Sequence, residues 1–407
     1  AHMKKFIFCF LLVFTACISC FGFTAYAEGD DLFLGGYAAG FTLTSKGAHV
    51  VGLSDVITEN GIVSPAKNAG VQTGDIIIKI DKSDVNDAND IEGAVKALSS
   101  IEDLEVVLVG EEKVISEQLK NFTYDLNRLS IVHAPDEISC NDKPTEAIKT
   151  KKESSLYKCY EILRTDETVH GMVSTGSTGA ILAGAVLRLG RIKGIKRPAF
   201  CPILPTMKGS LVGICDSGAN VDCDSVQLTQ FAVMADLYLK KAYGVESPKV
   251  ALLNVGVEEE KGDLLRKETF AALKANDKIN FVGNMEGRDL LSGNYDLVVC
   301  DGFSGNVLLK STEGACLEML KMLKKTFMKN LKNRIAAGIL KKDVYALKDF
   351  MDYNNYGGAV LLGANKTVVK GHGSSKAVSV FHCIEQAYNM EKKNLREAIS
   401  QAVAQTE

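Results

Sequence analysis

The stretch Leu297-Val298-Val299-Cys300-Asp301-Gly302-Phe303-Ser304-Gly305-Asn306-Val307-Leu308-Leu309-Lys310 decides how this chain is read. Four apolar residues suit a buried strand, the Gly- and polar-rich segment that follows suits a tight turn, and the apolar residues after it return at helical spacing. The same order recurs at Ser174-Thr175-Gly176-Ser177-Thr178-Gly179, Asp216-Ser217-Gly218-Ala219-Asn220, Asn254-Val255-Gly256 and Gly371-His372-Gly373-Ser374-Ser375. The runs preceding them are Gly171-Met172-Val173 and residues 211–215, 250–253 and 367–369, and the sequence from 179 to 189 reads as helix. Strand, glycine turn and helix make one βα unit. Several such units sharing a parallel sheet bring their turns together at the carboxyl edge, where open α/β sheets bind ligands. Bare backbone N–H groups and helix starts there favour an anion. The chain therefore reads as an α/β enzyme acting on a phosphate-bearing or otherwise anionic substrate.

Composition agrees with a globular chain of 407 residues, 46% of them hydrophobic and 24% charged, long enough for two or three domains. A net charge of −3 gives no footprint for nucleic acid. The eleven cysteines are odd in number, three fall in the first twenty residues, and no Cys-x-x-Cys pair occurs. They read as reduced core thiols rather than disulfides or ligands. No Asp, Glu, His or Cys group has metal-ligand spacing, and no cofactor is implied.

At the N-terminus, Met3-Lys4-Lys5 precedes an uncharged run from residue 6 to 23 and then Ala25-Tyr26-Ala27. This pattern is that of a signal peptide or single membrane anchor over residues 1–27.

Longer matches carry a family resemblance over residues 91–392. They comprise Glu92-Gly93-Ala94-Val95-Lys96-Ala97-Leu98, residues 187–198 (LRLGRIKGIKRP), Ser217-Gly218-Ala219-Asn220-Val221-Asp222-Cys223 and residues 252–262 (LLNVGVEEEKG). Gly283-Asn284, Glu286-Gly287-Arg288-Asp289, residues 300–310, residues 352–363 (DYNNYGGAVLLG) and residues 371–375 continue them in order. The chain resembles the bacterial phosphate acyltransferase (PlsX) family. That resemblance implies a three-layer αβα fold with a mainly parallel sheet, like isocitrate dehydrogenase and phosphotransacetylase. It also implies acyl phosphate formation from acyl-acyl-carrier-protein and inorganic phosphate for phospholipid synthesis, with acyl carrier protein as partner and a cytoplasmic body at the inner face of the membrane. The signal-like segment contradicts that compartment.

Between these parts, Gly40-Phe41-Thr42-Leu43 and residues 63–80 (VSPAKNAGVQTGDIIIKI) resemble the PDZ domain of stage IV sporulation peptidases. Such a domain binds peptide ends by strand addition. The expected domains are thus residues 1–27, a PDZ-like domain over 28–90 that could extend to 110, and an acyltransferase domain over 91–407. An exported or anchored peptide-binding module with an inactive tail is the alternative function. Residues 90–98 and 104–109 could close the PDZ domain or begin the acyltransferase. The family's opening Asp-Ala-Met-Gly-Gly-Asp turn has no counterpart before Glu92, where Asp81-Lys82-Ser83-Asp84 and Asp87-Ala88 stand instead. A gene fusion or an artefact joining two genes accounts for this junction, and slow activity is expected.

The candidate catalytic residues are His372, Lys261, Asp301 and Asn306. Phosphate binding falls to Ser174, Gly176, Ser177, Thr178, Gly179, Asp216, Asn220, Asn254, Gly256, Gly302 and Ser304. His372 lies between glycines after a strand, and Lys261 follows Glu258-Glu259-Glu260 beyond the Asn254 turn. Lys310 and Arg288 are weaker candidates, and His133 stands open between site and surface. All these polar residues are expected to converge on one cleft. A thioester is already activated, so bound phosphate can attack it directly while backbone amides and a cation hold the dianion. A covalent route through Cys300 is the alternative, against which its apolar strand argues. Residues 317–351 have apolar residues at helical spacing and many lysines, suited to helices packed on a homodimer mate. The resemblance adds membrane contact through this tip.

Overall fold

The computed structural model describes residues 89–404 apart from residues 352 and 374, together with short strands between residues 48 and 84. The signal-like segment and the body of the PDZ-like region lie outside the described residues. Contacts divide the chain into one unit of residues 1–37 and 49–76 and another of residues 38–48 and 77–407. In the first, Val56–Thr58 pairs antiparallel with Gly61–Val63. The second holds everything that follows.

Helix α1 (Asn89–Ser100) leads to strand β1 (Val106–Gly110), helix α2 (Glu112–Leu119) and strand β2 (Leu129–His133). Helices α3 (Pro144–Thr150) and α4 (Ser155–Thr165) precede β3 (Gly171–Ser174), α5 (Thr178–Gly184) and strands β4 (Ala199–Cys201), β5 (Ile203–Pro205) and β6 (Leu211–Cys215). Three βα steps follow, α6 (Ser225–Tyr243), β7 (Lys249–Asn254), α7 (Leu264–Lys274), β8 (Asn280–Glu286), β9 (Leu297–Val299) and α8 (Gly302–Met328). Helices α9 (Leu331–Ile339) and α10 (Lys341–Met351), strands β10 (Ala359–Leu362) and β11 (Thr367–Lys370), and helices α11 (Ala377–Lys392) and α12 (Leu395–Ala404) complete the chain.

Local chemistry sets the helix ends. Asp224 and Gln227 form a reciprocal capping box on α6, Gly244 closes it in the left-handed region, and Asp263, Asp301 and Asn330 cap α7, α8 and α9.

The strands form a five-stranded sheet in the order β5-β6-β9-β7-β8, with only β5 antiparallel, and a four-stranded sheet in the order β4-β10-β11-β3. Both faces of the first are apolar. Val250, Leu252, Leu297 and Val299 pack under α6 and α7, whereas Val212, Ile214, Ala251 and Val298 pack toward Leu308 and Leu309 of α8. This gives the three-layer αβα arrangement and explains why these strands read as continuous hydrophobic runs. The four-stranded sheet shares the first core through Cys201, Val360 and Val369, and its other face packs on Tyr160 and Ile181 of α4 and α5.

Pro202 joins the sheets. It separates β4, paired with β10, from β5, paired with β6, and its missing N–H ends one ladder where the next begins. Residues 106–109, open in the sequence between closing the PDZ-like domain and beginning the acyltransferase, join neither of the two large sheets. Strand β1 pairs in parallel with β2 in a separate two-stranded sheet, and among the described residues no strand bridges β2 to β3. Helix α1 packs on α11, where a Cβ on Gly93 would lie 2.6 Å from Val380 Cβ.

Candidate active site

Register builds the first half of the site. Cys215 and Leu252 both lie opposite Val299, and Asn254 lies opposite Glu286, so the turns after β6, β9, β7 and β8 emerge side by side. Asp216 is fully buried there. Its carboxylate accepts from the backbone N–H groups of Phe200 (2.9 Å), Ala219 (3.1 Å) and Asn220 (2.6 Å) and from Asn220 Nδ2 (2.9 Å). Asn220 also donates to the Pro198 carbonyl at 2.8 Å. Burial pushes the Asp216 carboxyl up to about 6, against the pull of these donors. Its contribution to stability is therefore complete below the ordinary carboxylate range and is lost as pH rises through about 6. Asp216 and Asn220 form the floor of the site.

The α8 helix rests directly on that floor. A Cβ on Gly302 would lie 2.7 Å from Asp216 Oδ2, and one on Gly305 would lie 2.0 Å from the Asp216 carbonyl oxygen. Glycine is needed at both positions because backbone meets backbone. Asp301 caps the helix through the Ser304 N–H at 2.8 Å and is gripped by Arg266, which also donates to Ser304 Oγ at 3.2 Å and to Asp263 at 3.1 Å. Beside this clamp opens a cleft of about 320 Å3, lined by Val221, Asp222, Cys223, Leu265, Phe303 and the clamp residues.

Asn254, Gly256 and Lys261 belong to one loop. Asn254 accepts from the Val255 N–H at 2.8 Å and donates to the Lys261 carbonyl at 3.1 Å, while Asn284 donates to the Glu258 carbonyl at 2.8 Å. Gly262, at φ +91°, lets the loop close against Asn254. The Lys261 ammonium is exposed. Its loop emerges two strand spacings from β6, about 10 Å away.

The second half of the site lies at the four-stranded sheet. Ser174 of β3 pairs with Lys370 of β11, and the Gly371 N–H donates to the Ser174 carbonyl at 2.9 Å. The Ser174 and His372 turns therefore touch. Ser174 Oγ accepts from the Gly176 N–H at 3.2 Å, Ser177 makes no side-chain cap to α5, and Thr178 opens that helix. Gly179 serves packing, since a Cβ there would lie 2.7 Å from Pro144 Cγ. Thr175 donates to Asp90 of α1 at 3.3 Å.

Lys370 donates to the Gly371 carbonyl at 2.7 Å, and burial lowers its pKa. His372 reaches solvent, yet the packing around it lowers its pKa, and the charges of Lys370 and Lys310 lower it further. Glu313 is raised by burial, opposed by Lys310 and then Lys370. Helix α8 runs from one half towards the other: Asn306 lies against Gly218 above the floor, and the charge of Lys310, one turn on, helps lower the pKa of Lys370 and His372. The span from Asp301 to Lys310 along the helix is about 13 Å.

The structure brings Asp216, Asn220, Asp301, Gly302, Ser304 and Asn306 together at one edge and Ser174 to Gly179 with His372 at the other. Lys261 is not drawn in. Arg288 pairs with Glu286 at the surface, and His133 accepts from the Glu112 N–H at 3.2 Å, capping α2. Cys300 is fully buried, its thiol donating to the Asp216 carbonyl at 3.3 Å, and burial pushes its pKa up, so it is a core thiol. Lys370, Glu313 and Arg266 escaped the sequence reading. A lysine ending a strand and an arginine three residues after a capping Asp were the available signals.

Comparison with known proteins agrees with this architecture. The fold is that of the phosphotransacetylases. The one from Streptococcus pyogenes superimposes with a TM-score of 0.50 at 15% identity, covering 76% of this chain and 92% of that one. A family model described as "Fatty acid synthesis protein" matches residues 77–398. The phosphate acyltransferase of Clostridioides difficile is 40% identical over 316 residues, covering 78% of this chain and 92% of that protein. That of Caldanaerobacter subterraneus subsp. tengcongensis is 45% identical over 300 residues, covering 74% and 88%. The chain belongs to the phosphate acyltransferase family of enzymes.

Proposed function

We propose that this enzyme transfers the acyl group of acyl-acyl-carrier-protein to inorganic phosphate, supplying acyl phosphate to phospholipid synthesis. The observation that carries the reading is the meeting of the Ser174 and Gly371 turns, with the half-buried Lys370 ending β11 between them and His372 directly after it. An ammonium in the half-buried setting of Lys370 compensates a dianion far better than it would in open water. A phosphate oxygen attacks the thioester carbonyl, the C–O bond forms, the C–S bond breaks, and the proton of monohydrogen phosphate ends on the departing sulfur. His372, held toward its neutral form, hydrogen-bonds the phosphate without adding a second full charge. No enzyme nucleophile is required.

The test is acyl phosphate formation by the purified chain from a long-chain acyl-acyl-carrier-protein and phosphate, trapped with hydroxylamine. Phosphate-dependent product supports the reading. Thioester loss without phosphate dependence refutes it. The same assay on a chain whose residues 1–90 are replaced by a start ending in Asp-Ala-Met-Gly-Gly-Asp is expected to run faster.

Met322, Leu331 and Ile339 are 68%, 72% and 79% exposed on the helices between residues 317 and 351. Exposed apolar residues on cationic helices support the proposals of a homodimer and of peripheral membrane contact there. Light scattering at micromolar concentration should report a dimer, and a monomer would count against it. Among the described residues no helix is long and apolar enough to cross a membrane.

A further inference from the structure

The two turns that build the second half of the site are fastened to each other by a helix outside both of them. The first residue of α1, Asn89, accepts through Oδ1 from the Ala377 N–H at 3.2 Å, and the second, Asp90, accepts through Oδ2 from Thr175 Oγ1 at 3.3 Å. Ala377 opens α11 directly after the turn that runs from Gly371 to Ser375, and Thr175 stands inside the turn from Ser174 to Gly179. Adjacent residues of one helix therefore grip both turns. Lys376, the residue before α11, gives that helix no side-chain cap, so Asn89 supplies from another helix what the local sequence does not. Thr175 is held from a second side as well, because a Cβ on Gly371 would lie 3.0 Å from its Cγ2. The grip is itself anchored. Gly93 lets α1 close onto α11, where a Cβ would meet Val380 Cβ at 2.6 Å and the Ala377 carbonyl oxygen at 2.7 Å.

We propose that Asp90 is a positioning residue for phosphate, acting through Thr175 to hold the Ser174 turn against the Gly371 turn. Backbone N–H groups bind an anion well when they are fixed before it arrives, since a turn that must be ordered on binding gives back part of the affinity. Ser174 is tied at the strand end by the Gly371 N–H, which donates to its carbonyl at 2.9 Å, and its Oγ accepts from the Gly176 N–H at 3.2 Å. Asp90 ties the residue between them. It stands three residues before Gly93, in the stretch where the family's opening turn has no counterpart, and a start ending in Gly-Gly-Asp would keep a carboxylate at position 90. This inference rests on the phosphate site proposed above.

The experiment measures binding of labelled inorganic phosphate to the full chain by equilibrium dialysis, which needs no acyl donor, with thermal melting beside it. Asp90→Ala should weaken phosphate binding about three- to tenfold, the loss of one hydrogen bond from a preorganised turn. Asp90→Asn, whose amide oxygen still accepts from Thr175, should keep most of the affinity. Thr175→Val keeps the branched shape, removes the donor and should match Asp90→Ala, and the double variant should be no weaker than either single one. A contact that serves only stability would lower the melting temperature without this pattern in phosphate affinity. Binding unchanged within about twofold in Asp90→Ala and Thr175→Val would overturn the proposal, as would additive losses in the double variant or an Asp90→Asn chain as weak as Asp90→Ala. Absence of phosphate binding by the unmodified chain would instead refute the site proposed above, and this inference with it. If Asp90→Ala does not fold, Thr175→Val and Asp90→Asn still decide.

Discussion

Lys370→Met is expected to lower kcat/KM for phosphate by about a hundred- to a thousandfold, the usual cost of removing one preorganised group aimed at developing charge. The substitution keeps the length and the apolar stem of the side chain, so β11 and its pairing with β3 should survive. What disappears is an ammonium held between the Ser174 and His372 turns, where burial already lowers its pKa. Lys370→Arg should retain more activity, since it keeps the charge at altered geometry. The loss should divide between KM for phosphate and kcat, because the cation holds the dianion both before and during attack. A change below threefold would remove Lys370 from the site.

Gly305→Ala is the second large expectation. Its Cβ would lie 2.0 Å from the Asp216 carbonyl oxygen and 2.7 Å from Cys300 Sγ, neither of which is the end of a flexible side chain. Helix α8 would have to shift. Overpacking of this kind costs on the order of 1–3 kcal/mol, and more where backbone must move. Because Asn306 and Lys310 ride on the same helix, activity should fall further than stability alone explains. Gly314→Ala is the matched control, since nothing lies within 4 Å of its Cβ position. There the helix should gain up to about 1 kcal/mol from the propensity difference. Thermal melting and turnover on the two variants check both claims. Equal behaviour would mean that the turn is not set by this close approach.

The same contrast shows what was legible in the chain. The strand ends were, because apolar runs that stop at Gly-rich turns have few other readings, and Asn254 indeed ends a strand while Asp216, Asp301 and His372 follow strands. Their surroundings were not. Asp216 and Asn220 read as polar residues facing a ligand, whereas the carboxylate is saturated by backbone donors from one segment 16 residues before it and another 3 and 4 residues after it. Gly302 and Gly305 read as bare amides for phosphate, and the structure shows them as the contact of a helix on a loop. Arg266 finds Asp301 across 35 residues, and no local periodicity reports such a pairing. Lys370 passed unnoticed because a charged residue at the end of a strand carries no local sign that the fold will bury it. The division into two large sheets hinged on Pro202, a single residue whose effect depends on which strands flank it.

The central claim is that phosphate sits between Lys370 and His372 at the junction of the Ser174 and Gly371 turns. Arsenate shares the shape and protonation of phosphate, and its arsenic can be located by anomalous scattering in crystals of the full chain. One arsenic position within hydrogen-bond reach of Lys370 is the result this account requires. Arsenic bound instead beside Lys261, or in the cleft beside Arg266, would contradict it.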